Sequence, residues 1–256
     1  MSYTLVTNFW NEKGNFAPFI ENIAKQTLQP KHWLFIDDGS IQDCEQEILN
    51  ACEIYGLKQV HYFYAEPPKP EGDKTTIGVA WNKALDTIRA LRSDYLAVAD
   101  VDTRFESDYF WRLVNMLDNR KDVGAISGGV KGERRYSHMP MGGGKVIRWE
   151  ILDSIKEFWN LEPDTFFNIK SMSLGYVNSV RPILVESRLT TPRSGKDLAY
   201  RLHYCGNSWL VALRKGVLGH FLRLRRNGVE QTTDPDARYY YSKRRIIKTI
   251  LTGRFF

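Results

Sequence analysis

Short apolar runs and longer amphipathic segments alternate through the first hundred residues. The apolar runs "YTLVTNF", "HWLFIDD", "KQVHYFY" and "YLAVAD" are rich in β-branched and aromatic residues, which is typical of strands. Between them, "FAPFIENIAKQTL", "IQDCEQEILNACEIYG" and "IGVAWNKALDTIRAL" carry apolar residues at helical spacing. This alternation predicts a doubly wound α/β fold, with a mostly parallel, Rossmann-like sheet sandwiched by helices.

Acidic residues follow two of the predicted strands. Asp37 and Asp38 close the second run, and Asp100 and Asp102 close the fourth. In a strand, Asp100 and Asp102 would lie on one face and repel each other unless a cation stood nearby. Ligands of such sheets bind beyond the carboxyl ends of the strands. The alternative is that the pair caps the helix predicted in "ESDYFWRLVNML", although Ser107 can do that alone.

Composition indicates a globular chain without a membrane span. The 256 residues, 43% of them hydrophobic, suffice for one sizeable core and an appended subdomain. The three cysteines show neither a disulfide framework nor zinc-ligand spacing, so we expect buried thiols in a reducing compartment. No run approaches the roughly 18 apolar residues of a transmembrane helix. The expected location is cytoplasmic, with peripheral attachment to the inner face of the cell membrane.

Charge is distributed unevenly along the chain. Residues 1–110 hold 10 Lys and Arg against 17 Asp and Glu, whereas residues 111–256 hold 26 against 13. The last segment, residues 214–256, carries 11 basic and 3 acidic residues among apolar clusters. We therefore predict a basic, helical and amphipathic C-terminal extension over residues 213–256, suited to an anionic membrane surface.

Several segments together resemble the family 2 glycosyltransferases of GT-A fold. The stretch "NFWNEKGNFAPFIENIAKQTLQPKHWLFIDDGS" is similar to the opening of that family, and "GVAWNKAL" to its Gly-x-Ala-x-Asn-Lys-Gly helix start. Asp100-Val101-Asp102 resembles its DxD motif, and "GGGKVIRWEILDSI" its acceptor-side segment. The similarity covers about residues 3–180, and four motifs in one order are far more specific than any one of them.

The resemblance implies a donor and a metal. The donor would be a nucleoside-diphosphate sugar, and a divalent cation, Mn²⁺ or Mg²⁺, would be held by Asp102 with Asp100 nearby, because oxygen ligands suit both ions. The remaining donor-binding residues that it implies are Asn8, Glu12, Asp37, Gly78, Asn82 and Asp100. It also implies a catalytic domain over residues 1–212, with a nucleotide-sugar half at about 1–105 and an acceptor half at about 106–212.

Two segments compete for the general base that the family places before a helix ending in Gly-Tyr. In "KDLAYRLHYCGN", aligning Asp197 with the motif leaves Gly195 at the base position, where it cannot act. In "EPDTFFNIKSMSLGY", Asp164 has the family's spacing to Gly175. We therefore predict Asp164 as the base of an inverting single displacement, although it could also serve as the N-cap of its helix.

Other candidate functional residues have simpler structural explanations. Glu186 could replace a metal-binding His of the family or pair with Arg188, and pairing is the simpler hypothesis. The run Gly142–Gly144 lacks the spacing of a dinucleotide-binding loop, and His61 and His203 lie in aromatic stretches. These features predict packing, not chemistry.

Two other classes of protein remain compatible with parts of the sequence. A sugar-phosphate nucleotidyltransferase would share the sheet and the metal but needs a Gly-rich basic loop after the first strand, which "NFWNEKGN" does not supply. A non-catalytic nucleic-acid-binding protein would explain the basic extension but not the acidic strand ends. We therefore expect a nucleotide-sugar donor and a glycan or lipid-linked acceptor as partners, and no nucleic acid.

Overall fold

The computed structural model describes residues 1–65, 77–131, 138–159, 163–187, 195–205, 207, 209–229 and 231–240. The chain divides into two compact units, Met1–Arg188 and Leu189–Phe256. This division falls earlier than the boundary at residue 212 that the charge pattern had suggested.

The first unit contains strands and helices in the predicted alternation. Its strands are β1 (Tyr3–Phe9), β2 (His32–Asp37), β3 (Val60–Tyr64), β4 (Tyr95–Val98), β5 (Thr103–Arg104), β6 (Val123–Val130), β7 (Lys145–Arg148) and β8 (Val177–Ser187). Its helices are α1 (Phe16–Ala24), α2 (Glu45–Ile54), α3 (Ile77–Ala90), α4 (Tyr109–Asn119), α5 (Trp149–Asp153) and α6 (Pro163–Ser173).

The strands pair in the order β3-β2-β1-β4-β7-β6-β8-β5. The four N-terminal strands β1 to β4 are mutually parallel, as predicted. In the other half, β7 is antiparallel to β4 and β6, β8 is parallel to β6, and β5 is antiparallel to β8. The predicted α/β class is therefore confirmed, with antiparallel pairing confined to the half that the alternating pattern did not reach.

The central strands are buried on both faces. In β2, five of six residues are buried, and in β4 all four are. Helices cover both faces of a parallel sheet, so such strands read as continuous apolar runs and not as alternating ones. This explains why "HWLFID" and "YLAV" lack the period of two that a half-exposed strand would show.

Aromatic packing fixes the carboxyl ends of β1 and β2. The ring of Phe16, at the start of α1, lies 4.8 Å from that of Phe9 and 6.2 Å from that of Phe35, measured between centroids. All three side chains belong to the main apolar core. Burying each contributes about 1.5–3 kcal/mol. The loops that leave these strand ends therefore start from a rigid base.

The described residues of the second unit are helical. Its helices are α7 (Gly195–Tyr204), α8 (Trp209–Arg214), α9 (Leu218–Arg226) and α10 (Pro235–Tyr240). A small apolar cluster that includes Ala212 and Phe221 joins α7, α8 and α9. His203 is buried and its Nε2 lies 2.8 Å from the carbonyl oxygen of Val229, in keeping with its predicted structural role. The rest of the predicted extension, residues 241–256, lies outside the described part of the chain.

Two predictions from composition concern the cysteines and the membrane spans. Cys44, Cys52 and Cys205 are free and buried, as predicted. None of the helices among the described residues combines the length and the apolar character that a bilayer crossing requires.

Candidate active site

Asp100 and Asp102 lie on a turn and not on a strand. Strand β4 ends at Val98, and the turn is closed by a hydrogen bond of 3.0 Å from the Thr103 amide to the Asp100 carbonyl. Val101, which separates the two aspartates in the sequence, is buried in the core. The prediction that Asp100 and Asp102 share one face of a strand is therefore wrong. The apolar run "YLAVADV" extends beyond Val98, where β4 stops pairing with its neighbours.

The turn leads into β5 and not directly into a helix. Strand β5 follows the turn, and α4 begins only at Tyr109. Asp108 occupies the N-cap of α4 without a side-chain capping hydrogen bond, so the predicted cap at Ser107 is not formed either. Capping by Asp100 and Asp102 is thereby excluded, and their carboxylates need another explanation.

Four carboxylates converge around this turn. The pKa of Asp100 is raised to about 7, first by desolvation and then by the negative charges of Asp102, Asp164 and Glu12. Asp100 as a residue is exposed, although protein atoms crowd around its carboxyl group and desolvate it. Residues from three distant segments of the chain therefore form one acidic cluster.

The turn Gly142–Gly144 lies directly against this cluster. A Cβ on Gly142 would stand 3.1 Å from Oδ2 of Asp164, and one on Gly143 would stand 2.6 Å from Oδ2 of Asp100. Gly144 has a φ of +122° and lies against Phe105 and Tyr109. These glycines were predicted to be structural. They are required because any larger residue would collide with the carboxylates or with the aromatic rings beneath them.

Asp164 begins the helix that was predicted to carry the base. Helix α6 starts with Pro163, whose fixed φ suits the first helical position, so Asp164 lies inside the first turn and is not the N-cap. The helix ends before Gly175, which has a φ of +90° and precedes Tyr176. The predicted helix between Asp164 and Gly175 is thus present, and Pro163 has a structural reason.

Lys145 was missed by the sequence reasoning. It opens β7, is completely buried, and its Nζ donates a hydrogen bond to the backbone carbonyl of Asp164. Burial lowers the pKa of Lys145 to about 8, against the opposing charges of Asp164 and Asp100. The only hint of a buried lysine in the sequence is its position at the start of the apolar run "KVI", directly after three glycines.

Asp37 belongs to a second polar group. It is 2% exposed, and its oxygens accept hydrogen bonds from the Ser40 amide at 2.7 Å and from the Tyr62 hydroxyl at 2.5 Å. Burial and the Asp37 carboxylate together raise the pKa of Tyr62. In this structure Asp37 therefore orders the turn after β2, and any contact with a nucleoside would use its remaining lone pairs.

The loop after β1 is tied to the loop after β2. Asn11 adopts a φ of +53°, its amide binds Oγ of Ser40 at 2.9 Å, and its Oδ1 accepts from the Ile41 amide at 2.8 Å. Glu12 accepts a hydrogen bond of 2.8 Å from Asn15. The Oδ1 of Asn8 is buried and has no hydrogen-bond partner among the described residues. Asn8 thus retains an acceptor that a ligand could use.

Helix α3 carries the two other predicted donor residues. Gly78 is buried in its first turn. Both ends of the Asn82 amide bind the backbone of Phe158, with Nδ2 2.9 Å from its carbonyl and Oδ1 2.6 Å from its amide nitrogen. Asn82 therefore holds the segment after α5 in place, and its contact with a donor stays a prediction.

Glu186 and Arg148 are engaged in structural contacts. Glu186 is exposed and its Oε1 lies 3.4 Å from Nζ of Lys131, while Arg188 lies outside the described residues. Arg148 donates to the carbonyls of Val123 at 2.8 Å and Arg120 at 3.0 Å. The arginine of the "GGGKVIR" segment therefore satisfies backbone groups near the end of α4.

The acidic cluster fits a divalent cation. Asp100 and Asp102 supply the carboxylate oxygens that Mg²⁺ and Mn²⁺ prefer, and the pKa of Asp100 is raised first by desolvation and then by the neighbouring negative charges. Within the described ranges, no group of three or more His, Cys, Asp or Glu is arranged to hold a metal ion. Two carboxylates alone would leave coordination positions for phosphate oxygens and water.

The family model described as Glycosyl transferase family 2 matches residues 4–184. The chain therefore belongs to glycosyl transferase family 2 and is a glycosyltransferase. Family membership excludes the nucleotidyltransferase and the non-catalytic nucleic-acid-binding protein that the sequence had left open. No curated protein sequence matches the chain.

Solved structures of glycosyltransferases share the fold. The mannosyltransferase PcManGT from Pyrobaculum calidifontis, in complex with GDP-Man and Mn²⁺, is 17% identical with a TM-score of 0.64, covering 87% of this chain and 70% of that chain. S. aureus TarS residues 1–349 with UDP-GlcNAc gives 16% identity, a TM-score of 0.59 and coverage of 91% and 74%. Glucosyl-3-phosphoglycerate synthase from Mycobacterium tuberculosis, with Mn²⁺, UDP and glucosyl-3-phosphoglycerate, gives 14%, 0.55 and 78% of each chain. These likenesses confirm the predicted GT-A architecture.

Proposed function

We propose that this enzyme transfers a sugar from a nucleoside-diphosphate sugar to an acceptor hydroxyl with inversion at the anomeric carbon. The observation that carries the proposal is the convergence of Glu12, Asp100 and Asp102, which follow the parallel strands β1 and β4, with Asp164 in the first turn of α6. The solved relatives that bind GDP-Man, UDP-GlcNAc or UDP support this donor class.

Asp102 and Asp100 would hold Mn²⁺ or Mg²⁺. The ion would neutralise the charge that develops on the departing diphosphate, which is the chemistry of a Lewis acid. Mn²⁺ in the PcManGT and glucosyl-3-phosphoglycerate synthase structures supports a divalent metal.

Asp37, Asn8 and Glu12 would line the nucleoside end of the donor. The buried, unsatisfied Oδ1 of Asn8 supports this role, since a buried acceptor without a partner costs about 1–3 kcal/mol unless a ligand donates to it. Gly78 and Asn82 would contribute from α3, Gly78 because its missing side chain leaves the backbone accessible.

Asp164 would act as the general base. The acceptor hydroxyl gives its proton to the Asp164 carboxylate while its oxygen forms a bond to the anomeric carbon. The bond from that carbon to the diphosphate oxygen breaks, and its electron pair leaves with the nucleoside diphosphate. One displacement from the opposite face inverts the anomeric configuration, and no covalent enzyme intermediate is needed.

A donor panel tests the function. The full chain is incubated with Mn²⁺ and UDP-glucose, UDP-N-acetylglucosamine or GDP-mannose, and slow nucleoside diphosphate release is followed with water as the acceptor. Release from one donor well above the rate without enzyme is expected. Conversion of the sugar nucleotide and added pyrophosphate into a nucleoside triphosphate and a sugar 1-phosphate would contradict the proposal, as would no release from any sugar nucleotide while the folded protein binds DNA tightly.

We also propose that the C-terminal unit attaches the enzyme to an anionic membrane, where a lipid-linked or glycan acceptor would be presented. Residues 209–229 contain five Lys and Arg and no Asp or Glu. Leu213 and Leu222 are 52% and 47% exposed, and the basic side chains of α9 around Leu222, including Arg223 and Arg226, are exposed as well. Exposed leucines next to exposed arginines suit the interface of an acidic bilayer, where apolar and basic side chains can both bind.

Co-sedimentation with phosphatidylglycerol vesicles tests this attachment. The variant Arg223→Glu/Arg226→Glu should bind roughly tenfold or more weakly than the natural chain, because each basic residue contributes on the order of 1 kcal/mol. The control Lys31→Glu/Lys58→Glu makes the same charge change on exposed residues of the first unit. Equal loss in both variants, or equal binding to pure phosphatidylcholine, would refute a specific surface on α9.

A further inference from the structure

The most unusual charged group of the first unit is the ammonium of Lys145. Its side chain is 0% exposed, so it cannot touch a donor or acceptor in this structure. A nucleophilic or ligand-binding role is thereby excluded. The lysine nevertheless lies beside the two carboxylates to which the proposed function assigns metal binding and base catalysis, because its charge acts on both Asp100 and Asp164.

Two contacts place Lys145 near the segments that carry these carboxylates. Its Nζ donates to the backbone carbonyl of Asp164, at the first turn of α6. Its own residue pairs in register with Val98 on β4, two residues before Asp100. Lys145 therefore links the strand that leads to the metal turn with the helix that carries the base.

A buried lysine is an energetically unfavourable way to fill space in the core. Burying an ammonium costs several kcal/mol, and apolar side chains of similar volume often serve equally well or better for stability. The carbonyl of Asp164 also lies within α6, where the amide four residues later is its ordinary partner. Neither core filling nor an unsatisfied carbonyl therefore requires this charge.

We propose that Lys145 is a positioning residue for sugar transfer: its ammonium holds the first turn of α6 through the Asp164 carbonyl, so that the Asp164 side chain faces the acceptor. This inference rests on the proposed role of Asp164 as the base. The glycine turn next to it sets the separation of the same two carboxylates, because Gly142 lies against Asp164 and Gly143 against Asp100.

The test compares Lys145→Met with the natural chain in the donor-hydrolysis assay, using the sugar nucleotide that gives the fastest release. kcat should fall by about 10- to 100-fold, whereas KM for the donor changes by less than about threefold. The melting temperature should change little, because the cost of burying the ammonium disappears together with its attraction to the two carboxylates.

Further variants separate charge from hydrogen bonding and from folding. Lys145→Gln keeps an N–H donor for the Asp164 carbonyl without the charge, so it should lose less kcat than Lys145→Met. If Lys145→Met does not fold, the kcat and KM of Lys145→Gln carry the test. The exposed Lys121 provides the control Lys121→Met, which should leave kcat unchanged.

The outcomes distinguish this inference from the proposed function. The double variant Lys145→Met/Asp164→Asn should be no slower than Asp164→Asn, because the lysine acts through Asp164. If kcat falls in the lysine variants only together with the melting temperature, or if the double variant is slower than Asp164→Asn, Lys145 is only a structural support and the inference is wrong. If Asp164→Asn itself keeps its activity, the assignment of the base fails instead.

Discussion

Gly143 lies against Asp100 so closely that a Cβ on the glycine would stand 2.6 Å from the Oδ2 of the aspartate. The same Cβ would lie 2.9 Å from Oγ1 of Thr103. Both atoms are at the ends of side chains, so a Cβ on Gly143 would displace the Asp100 carboxylate and the Thr103 hydroxyl from these positions. The position of the Asp100 carboxylate is therefore coupled to the absence of a single methyl group on the adjacent loop.

Gly143→Ala should lower kcat/KM by roughly 100-fold or more, because displacement of reacting groups by about 1 Å costs that much. Donor hydrolysis with Mn²⁺ measures it. Gly219→Ala is the matched control, since it makes the same chemical change on α9 with no atom within 4 Å and should be neutral or slightly stabilising. Full activity of Gly143→Ala would mean that the turn is not part of the site.

A chelator should abolish donor hydrolysis, and Asp102→Asn should not be rescued by a higher donor concentration. An amide oxygen is a weaker ligand than a carboxylate, so the variant would lose the ion and not only affinity for the donor. Titration of Mn²⁺ against the rate measures both effects. Undiminished hydrolysis in excess chelator would remove the metal from the mechanism.

Asp164→Asn should lower kcat by roughly 10²–10⁴ while donor binding stays near that of the natural chain. The amide keeps the size of the side chain and removes the proton acceptor. Asp197→Asn, on α7, is the comparison that the sequence suggests. Loss of activity in Asp197→Asn with survival of Asp164→Asn would show that the motif was aligned incorrectly.

The raised pKa of Asp100, about 7, makes stability depend on pH. The folded protein holds this proton up to about pH 7 while the unfolded chain releases it near pH 4, so the group's contribution to stability is present below about pH 4 and lost as pH rises to about 7. Mn²⁺ competes with that proton. Its stabilising effect on the melting temperature should therefore be larger at pH 8 than at pH 5, taken as approximate working values.

Asp100→Asn is the control for this titration. The variant should lose the pH dependence that belongs to Asp100 and most of the stabilisation by Mn²⁺. A thermal shift with Mn²⁺ that is equal at both pH values in the natural chain would contradict the placement of the ion at Asp100.

Local patterns predicted the first half of the fold because each element there carries its own signal. The run "YTLVTNF" corresponds to all seven residues of β1, and the Gly56 stop follows α2 with a φ of +69°. Pro163 and Gly175 likewise bound the region of α6. Such features depend only on neighbouring residues, so the sequence is sufficient to recognise them.

Contacts between distant segments could not be predicted in this way. Asn82 resembles a donor-binding residue in its motif, yet its amide binds a backbone segment 76 residues away. The importance of Lys145 lies in its complete burial near Asp164 and Asp100. Nothing in "GGGKVI" indicates that this side chain is completely buried. Asp100 and Asp102 fall on a turn because β7 pairs with β4 only as far as Val98.

The pairing of β5 with the end of β8 bears on where the minimal catalytic fragment can end. Thr103 and Arg104 pair with Ser187 and Glu186, whereas the family match stops at residue 184. A protein shortened to the family limits would remove the residues of β8 that pair with β5, and the strand that directly follows Asp102 would lose its ladder hydrogen bonds. Expression of an isolated catalytic unit should therefore retain all of β8, because its last residues hold the strand that follows the turn of Asp100 and Asp102.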